Sequence, residues 1–532
     1  MPSHSFALRR RLSVLLLAAA ASTPTGGGVW GDQRVPPAER ASAGFIPARA
    51  NDRRSSSERQ AFLERFARAY FPGRTGQIVV VAREGHIITR RDPAVTYMHG
   101  SPWPYDTRIP FLIYGPAFVR PGTYPRPVTQ QDMAPTLAEL LGVPMPGTSA
   151  GRPQRAILKP GPERPRLILL AVLDGMRVDY FDRHAAVLPT LTRLRKQGAW
   201  FSNAQVNFLP TITSVAHATI ATGADPRVHG IVANALFDRV AGQAADVYPG
   251  LSPRLLMALT LADVWSVQTD GRAIIIGQGS TVRAAIPLAG HGGCLLNGRP
   301  VIAVSYNEKR GVWETNSECY RLPDYLKDRN ASALWEGTDG LWMGHPIGTP
   351  GDVRYSAVFS RFETDALKLM IEREPLGADD IADLVLVNLK TPDYVGHRYG
   401  PDSPETREAL AALDRDLAGV LAALDAKLGR DRYVVAITAD HGMPPEPDGR
   451  RGQGRHYTDD IVKLIHEKFD PGQSKLVKHY EPENAQIAID RARLQELGLS
   501  LDALARYLEA QPFVFAAYTE QEVGRAAGAL GR

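Results

Sequence analysis

The sequence predicts an α/β fold with a largely parallel central sheet flanked by helices. Three apolar runs point to it: Arg166–Leu173 (RLILLAVL), Asp383–Leu389 (DLVLVNL) and Tyr433–Thr438 (YVVAIT). Their continuous hydrophobicity suits strands buried on both faces rather than one. Helical patterns separate them, most clearly Pro404–Leu428, where Leu410, Leu413, Leu417, Val420, Leu421 and Leu424 fall on one face. The third observation is the chemistry at the end of each run: Asp174 after the first, Asp393 and His397 after the second, Asp440 and His441 after the third. Open α/β sheets take their ligands at the carboxyl edge. Acids and imidazoles converging there predict a metal site.

Residues 1–21 carry a basic stretch ending at Arg11 and a short apolar run from Leu12 to Ala21. This reads as an export signal, too short to span a bilayer comfortably, and predicts a periplasmic or extracellular protein. No other segment is long and apolar enough to cross a membrane. Residues 22–57, rich in Gly, Pro, Ala and Ser, read as a disordered linker. Glu58–Tyr70 has a helical pattern, Gln77–Ala82 is a strand, His99–Asp106 a dense turn and Arg108–Tyr114 another strand. Gln130–Leu141 reads as a helix with Thr129 as its N-cap and Gly142 as its stop. A Pro/Gly/Arg-rich linker covers 151–165. After the first core strand, Leu188–Gln197 is helical. Leu209–His217 leads into a helix closed by Gly223, so Thr213 stands at a helix N-terminus, where free N–H groups favour an anion. Asp225–Gly230 is a turn and Arg272–Gly277 a strand. Residues 290–350 are irregular and partly β. A hairpin there brings Cys294 near Cys319, and in an exported chain the pair forms a disulfide. Beyond residue 445, helices alternate with short strands such as Ala485–Ile489.

The chain has 532 residues, 44% hydrophobic and 22% charged, with formal net charge +5. Three of the positive charges are Arg9, Arg10 and Arg11 in the signal. Nothing in the balance argues for a nucleic acid polymer as partner.

Asp393 and His397 have the i, i+4 spacing that reaches one ion from a single turn. Asp440 and His441 are adjacent, and Gly442 lets the backbone turn so that both reach inward. Zinc takes this mixture of carboxylate oxygen and imidazole nitrogen. A threonine hydroxyl is a weak nucleophile until a base or metal activates it. With these residues in view, five segments resemble the alkaline phosphatase superfamily: AVLDGMRVDYF (171–181), LPTITSVAHATIATG (209–223), HGIVAN (229–234), TPDYVGHRYGPDSPE (391–405) and TADHGM (438–443). They are most similar to the bacterial zinc-dependent alkaline phosphatases with a threonine nucleophile and to the type I phosphodiesterase/nucleotide pyrophosphatase branch. With the regions between them they cover most of 166–445.

The resemblance implies two Zn²⁺ ions. Asp174, Asp440, His441 and the Thr213 oxygen would hold one; Asp393, His397 and His99 the other. It assigns Thr213 as nucleophile and places Asn234 and Arg283 on phosphoryl oxygens. Thr281 stands where the monoesterases carry a lysine, and Lys390 is the candidate to supply that charge from elsewhere. His99 lies in HGSPWPYD, a segment the family carries near its C-terminus, and DMAPTLAELLGVP (132–144) succeeds it as the family's closing helix. The order is therefore that of a circular permutation. It comprises 58–150 as the usual C-terminal piece, 151–165 as a linker, 166–235 and 381–445 as catalytic core, 236–380 as a cap insertion, and 446–532 as a C-terminal accessory α/β region. His217 and His229 are expected to pack or cap within their turns. Asp106 is expected either to partner His99 or to form a salt bridge.

The expected function is an exported two-zinc phosphoric ester hydrolase working through a phosphothreonine intermediate, with small phosphate esters as substrates and phosphomonoesters slightly favoured. A phosphodiesterase or nucleotide pyrophosphatase is the alternative. An inactive, metal-stabilised binding protein is the alternative of another class. A sulfatase would want a Cys/Ser-x-Pro-x-Arg context, and a lipid-modifying phosphotransferase would want membrane helices; the sequence offers neither.

Overall fold

The Leu167–Leu173 strand lies at the middle of the molecule, and every residue in it is buried. In the computed structural model, which describes residues 56–161, 163–295, 301–481, 483 and 485–530, it pairs in parallel with Asp383–Leu389 on one side and Tyr433–Thr438 on the other. All three apolar runs are wholly buried, as strands covered on both faces must be. The predicted signal and nearly all of the 22–57 linker lie outside the described residues. Among the described residues no helix is long and apolar enough to cross a membrane.

The central sheet has ten strands. Its order runs Val312–Glu314, Val301–Asn307, Ile275–Gly279, Asp383–Leu389, Leu167–Leu173, Tyr433–Thr438, Phe111–Tyr114, Ala199–Gln205 and Gly122–Thr129, with Tyr320–Arg321 beside Val301–Asn307. From Val301–Asn307 to Tyr433–Thr438 the neighbours are parallel. Phe111–Tyr114 then enters antiparallel to Tyr433–Thr438.

Register decides which side chains meet at the edge. Leu173 lies opposite Leu389, and Val172 opposite Thr438. The segments that leave these strands, starting at Asp174, Lys390 and Ala439, therefore emerge side by side. Phe111 pairs with Thr438. An antiparallel strand starts where its neighbour ends, so the segment preceding Phe111, which includes His99, arrives at the same edge.

Helices cover both faces. Pro404–Leu428 starts at Ser403, whose hydroxyl accepts from Thr406 N, and it buries the six predicted aliphatic residues. The segment expected as a helix over Gln130–Leu141 is a short 3₁₀ turn, Gln130–Asp132, continued by the helix Met133–Leu141. Thr129 and Asp132 form a capping box, and Gly142 closes the helix with φ +66°.

One expectation changes. The stretch 236–380 is not simply a cap: Ile275–Gly279, Val301–Asn307 and Val312–Glu314 belong to the central sheet. Its helix Phe359–Arg373 packs on Pro404–Leu428. The hairpins Ala235–Asp238/Gln243–Asp246 and Leu341–Trp342/His345–Pro346 do stand apart from that sheet. The 151–165 linker is tied down. Arg152 N donates to Asp132 Oδ1, Arg120 N to Ile157 O and Lys159 N to Phe118 O. Its prolines and glycines limit regular structure to the 3₁₀ turn Arg155–Ile157 and a bridge from Leu158 to Val119, and its other backbone groups still find partners.

A second, four-stranded sheet is antiparallel, in the order Val477–Glu481, Gln486–Ile489, Ile78–Ala82, Val514–Thr519. The Ile78–Ala82 strand thus sits between strands from the far end of the chain. The expected disulfide joins Cys294 and Cys319.

Candidate active site

Thr213 is the first residue of the helix Thr213–Thr222, every residue of which is buried. The extended Ile212 precedes it and Gly223 ends the helix with φ +67°. Thr213 keeps 4% of its surface exposed. Behind it, Ser214 N donates to Asn234 Oδ1 at 3.1 Å.

The acids and imidazoles expected around this threonine come together in the structure. His99, Asp393 and His397 form one buried cluster; Asp174, Asp393 and His441 form a second; Asp174, His217 and Asp440 form a third. The first is the set expected for one ion. The set expected for the other, Asp174 with Asp440 and His441, is divided between two overlapping clusters, one of which includes His217.

Hydrogen bonding separates imidazoles with one nitrogen still open from those engaged at both. The Nδ1 atoms of His99, His397 and His441 lie 2.8, 2.5 and 2.9 Å from the carbonyl oxygens of Thr211, Tyr97 and Gly442. A carbonyl can only accept, so each Nδ1 carries its proton and each Nε2 keeps a lone pair. Those Nε2 atoms face carboxylates: His99 and His397 at 3.8 and 3.4 Å from Asp393 Oδ1, His441 at 3.2 Å from Asp440 Oδ2 and 3.5 Å from Asp174 Oδ1. His217 is different. Its Nδ1 bonds Thr213 O at 2.9 Å and its Nε2 meets Asn388 Nδ2 at 3.0 Å, so both nitrogens are engaged. It is held between its own helix and Asn388 of the neighbouring strand, and His229 bonds Thr219 Oγ1 of the preceding helix and Ile231 N, so both reach beyond their own turns.

The donor set fits divalent cations. Asp174 Oδ1, Asp393 Oδ1, Asp440 Oδ2 and His441 Nε2 are all buried without a hydrogen-bonding partner. Buried carboxylates and lone pairs aimed at one another need a cation between them. Burial and the Asp440 charge push the Asp174 carboxyl well above its ordinary range.

Lys390, at the end of the Asp383–Leu389 strand, places its ammonium in this cluster. Nζ lies 2.7 Å from Asp393 Oδ2, 2.9 Å from Asp174 Oδ2 and 3.4 Å from Thr213 Oγ1. Arg283 belongs to the first turn of the helix Val282–Ala289, which Thr281 precedes in an extended conformation. Its Nε is 3.1 Å from Asp246 Oδ2. Thr281 Oγ1 has no hydrogen-bonding partner. His99, Thr213, Asn234, Thr281, Arg283, Lys390, Asp393 and His397 all line one cavity of about 440 Å³.

Asp106 does not touch His99. Its Oδ2 accepts from Ser101 N at 2.9 Å, holding the turn just after His99. Its backbone oxygen accepts from Gly442 N while Tyr105 O accepts from Met443 N, which clamps the two strand-end loops together. Sequence patterns do not reveal Glu483, Arg90, Asp246, Arg354 and Tyr355, which share the cavity, or Glu363 beneath it. For Glu363 a signal exists: it is a carboxylate on the apolar stripe Phe359, Phe362, Ala366, Leu367, Met370.

Comparison with known proteins agrees with this geometry. The model of the type I phosphodiesterase / nucleotide pyrophosphatase family matches residues 168–523. Alkaline phosphatase PafA of Elizabethkingia meningoseptica is 25% identical over 417 residues, 68% of this chain and 76% of that protein. Alkaline phosphatase PhoV of Synechococcus elongatus is 28% identical over 332 residues, 53% of this chain and 60% of its own length. The crystal structure of wild-type PafA superposes with a TM-score of 0.55 at 24% identity, covering 66% of this chain and 78% of that one, and so shares the fold. The chain belongs to the type I phosphodiesterase / nucleotide pyrophosphatase family, within the alkaline phosphatase superfamily.

Proposed function

We propose that the protein is an exported phosphoric ester hydrolase that holds two zinc ions and works through a phosphothreonine intermediate. One observation carries the reading: the Thr213 hydroxyl stands at the first turn of a buried helix, in one cavity with His99, Asp393 and His397 and with Asp174 close by. In this reading Asp174, Asp440, His441 and Thr213 Oγ1 hold one ion, and His99, Asp393 and His397 the other. A pair of such ions supplies charge for the attacking and leaving oxygens of an in-line displacement.

The residues do the rest. Thr213 Oγ1 forms the new bond to phosphorus as the ester oxygen departs and takes the hydroxyl proton; water then cleaves the threonine ester, regenerates the hydroxyl and frees phosphate from a monoester or a phosphomonoester from a diester. The helix N-terminus, Asn234 and Arg283 orient the phosphoryl oxygens. Carbonyl partners at Thr211, Tyr97 and Gly442 fix the three imidazoles in the tautomer that offers Nε2. Export rests on the basic–apolar stretch 1–21, and the Cys294–Cys319 disulfide suits an oxidising compartment.

Thr213→Ala is expected to lower turnover of p-nitrophenyl phosphate and bis-p-nitrophenyl phosphate by about 10³-fold or more, the scale seen when a nucleophile is deleted. Bound zinc, measured by atomic emission, should stay close to the wild-type amount because the other ligands remain. Turnover unchanged in this variant would remove Thr213 from the reaction.

A further inference from the structure

Asn234 and Arg283, the side chains expected to hold phosphoryl oxygens, are both engaged by one carboxylate from the far end of the chain. Asn234 Nδ2 donates to Glu483 Oε2, and Arg283 Nη1 lies 3.7 Å from that oxygen. The other oxygen, Oε1, is 3.5 Å from Arg90 Nη2. Arg283 is further compensated by Asp246, at 3.1 Å from its Nε. The Glu483 side chain is 12% exposed and lines the same cavity as Thr213.

The carboxylate is anchored. The Glu483 carbonyl lies against Gly100, where an added Cβ would come within 2.8 Å of it, and Gly100 adopts φ +111°. Glu483 therefore hangs from backbone packed next to His99. Burial opposes its charge, yet Arg283 and the Asn234 hydrogen bond hold its carboxyl down at about 2. It is an anion at any working pH.

We propose, on the hydrolase reading above, that Glu483 is a specificity-determining residue that sets the charge of phosphoryl group the site accepts. Arg283 and Arg90 face three carboxylates, Glu483, Asp246 and Glu481, so the two guanidinium groups leave no net positive charge for a dianion. A phosphomonoester brings a doubly charged group toward Glu483, while a diester brings one charge. Repulsion scales with that charge, so Glu483 discriminates against the monoester by a built-in unfavourable contact. The site keeps Arg283 and Asn234 as donors but has their charge tuned by a residue distant in sequence.

The test is Glu483→Gln, which keeps the shape and an oxygen acceptor for Asn234 while removing the charge. Steady-state kinetics on p-nitrophenyl phosphate and bis-p-nitrophenyl phosphate give the ratio of the two kcat/KM values. The ratio is expected to move toward the monoester by about tenfold or more, the effect of one unit charge at a desolvated site. Inhibition by inorganic phosphate should tighten in parallel. Asp246→Asn should shift the ratio in the same direction, and it serves as the test if the Glu483 variant does not fold. An unchanged ratio, or a fall in monoester activity alone, would overturn the proposal and leave Glu483 as a support for Arg283. If wild-type protein hydrolysed neither ester above the Thr213→Ala blank, the hydrolase reading itself would fail. Calorimetric titration of zinc-loaded protein with inorganic phosphate would then decide for Glu483 separately: tighter binding in Glu483→Gln supports its role, and equal binding refutes it.

Discussion

Lys390 illustrates what one charge does at this site. It succeeds a core strand whose residues are all buried, and it is itself 6% exposed. A lysine this deep needs anions around it. Asp174 and Asp393 supply them and, against the effect of burial, hold its ammonium well above the ordinary lysine range. The sequence makes Lys390 the candidate for the charge absent at Thr281, and the placement of Nζ 3.4 Å from Thr213 Oγ1 favours that role. A cation next to the nucleophile stabilises negative charge that develops on the transferred group. Lys390→Ala is therefore expected to lower monoester kcat/KM by about 10²-fold, the scale of losing one preorganised donor, with a smaller loss for the diester. Equal kinetics on both esters would return Lys390 to the role of a counter-ion for the carboxylates.

Between elements, the decisive carboxylate is Glu363. It projects from the buried face of the helix Phe359–Arg373 and is fully buried. It accepts from Ser280 Oγ at 2.5 Å, from Thr391 Oγ1 at 2.7 Å, and from the backbone N–H of Lys390 and Thr391 at 2.8 and 3.3 Å. One side chain thus ties the ends of the Ile275–Gly279 and Asp383–Leu389 strands together. Burial raises its carboxyl above the ordinary range, and these hydrogen bonds only partly oppose that. Glu363→Leu should leave those donors unpaired and cost about 2–5 kcal/mol in urea unfolding, while Glu363→Gln should cost less because it keeps one acceptor. A leucine variant as stable as wild type would mean that the loops hold themselves. Glu363 also marks the limit of sequence reading. Asp174, Asp393, His397, Asp440 and His441 are legible because each comes after a continuous apolar run, and strand ends are where such folds gather ligands. Their meeting depends on register, which the apolar patterns alone do not state. His99 is legible only by resemblance, since an antiparallel strand delivers it from elsewhere in the chain. Glu483 and Arg90 have no local signature at all: Glu483 reaches Arg283 from the turn between two strands of the second sheet, and Arg90 reaches Glu483 from the end of the short strand Ile87–Thr89, which pairs with Arg455–Tyr457. Of the central-sheet strands in 236–380, Ile275–Gly279 is legible as the apolar run Arg272–Gly277, whereas Val301–Asn307 and Val312–Glu314 lie in a stretch that reads as irregular and partly β.

For the whole molecule, the order of segments is the property to test. We propose that the chain is a circular permutation of its family's order. Ile78–Ala82 lies between Gln486–Ile489 and Val514–Thr519, so the early and late parts of the described residues build one sheet. The helices Ser56–Ala67 and Glu520–Leu530 pack against each other. Ends that meet in space can be joined, and a surface connection can be opened, at little cost to the packed core. The connection before Arg166 is such a place. Arg164 packs on Gly142, but the connection's backbone hydrogen bonds, from Ala150 N to Gly223 O through Lys159 N to Phe118 O, all lie upstream of residue 160. A reordered chain running 166–530 and then, through a short flexible linker, 56–160 keeps every one of them. It should fold with the same far-UV circular dichroism, bind zinc in the wild-type amount and retain Thr213-dependent hydrolysis within about tenfold, because no site residue changes neighbours. Its unfolding free energy should fall by about 1–2 kcal/mol, chiefly from the entropy of the new linker. Aggregation without zinc uptake would show that the His99 segment must be made before the core strands it joins, and that the order is part of how this protein reaches its fold.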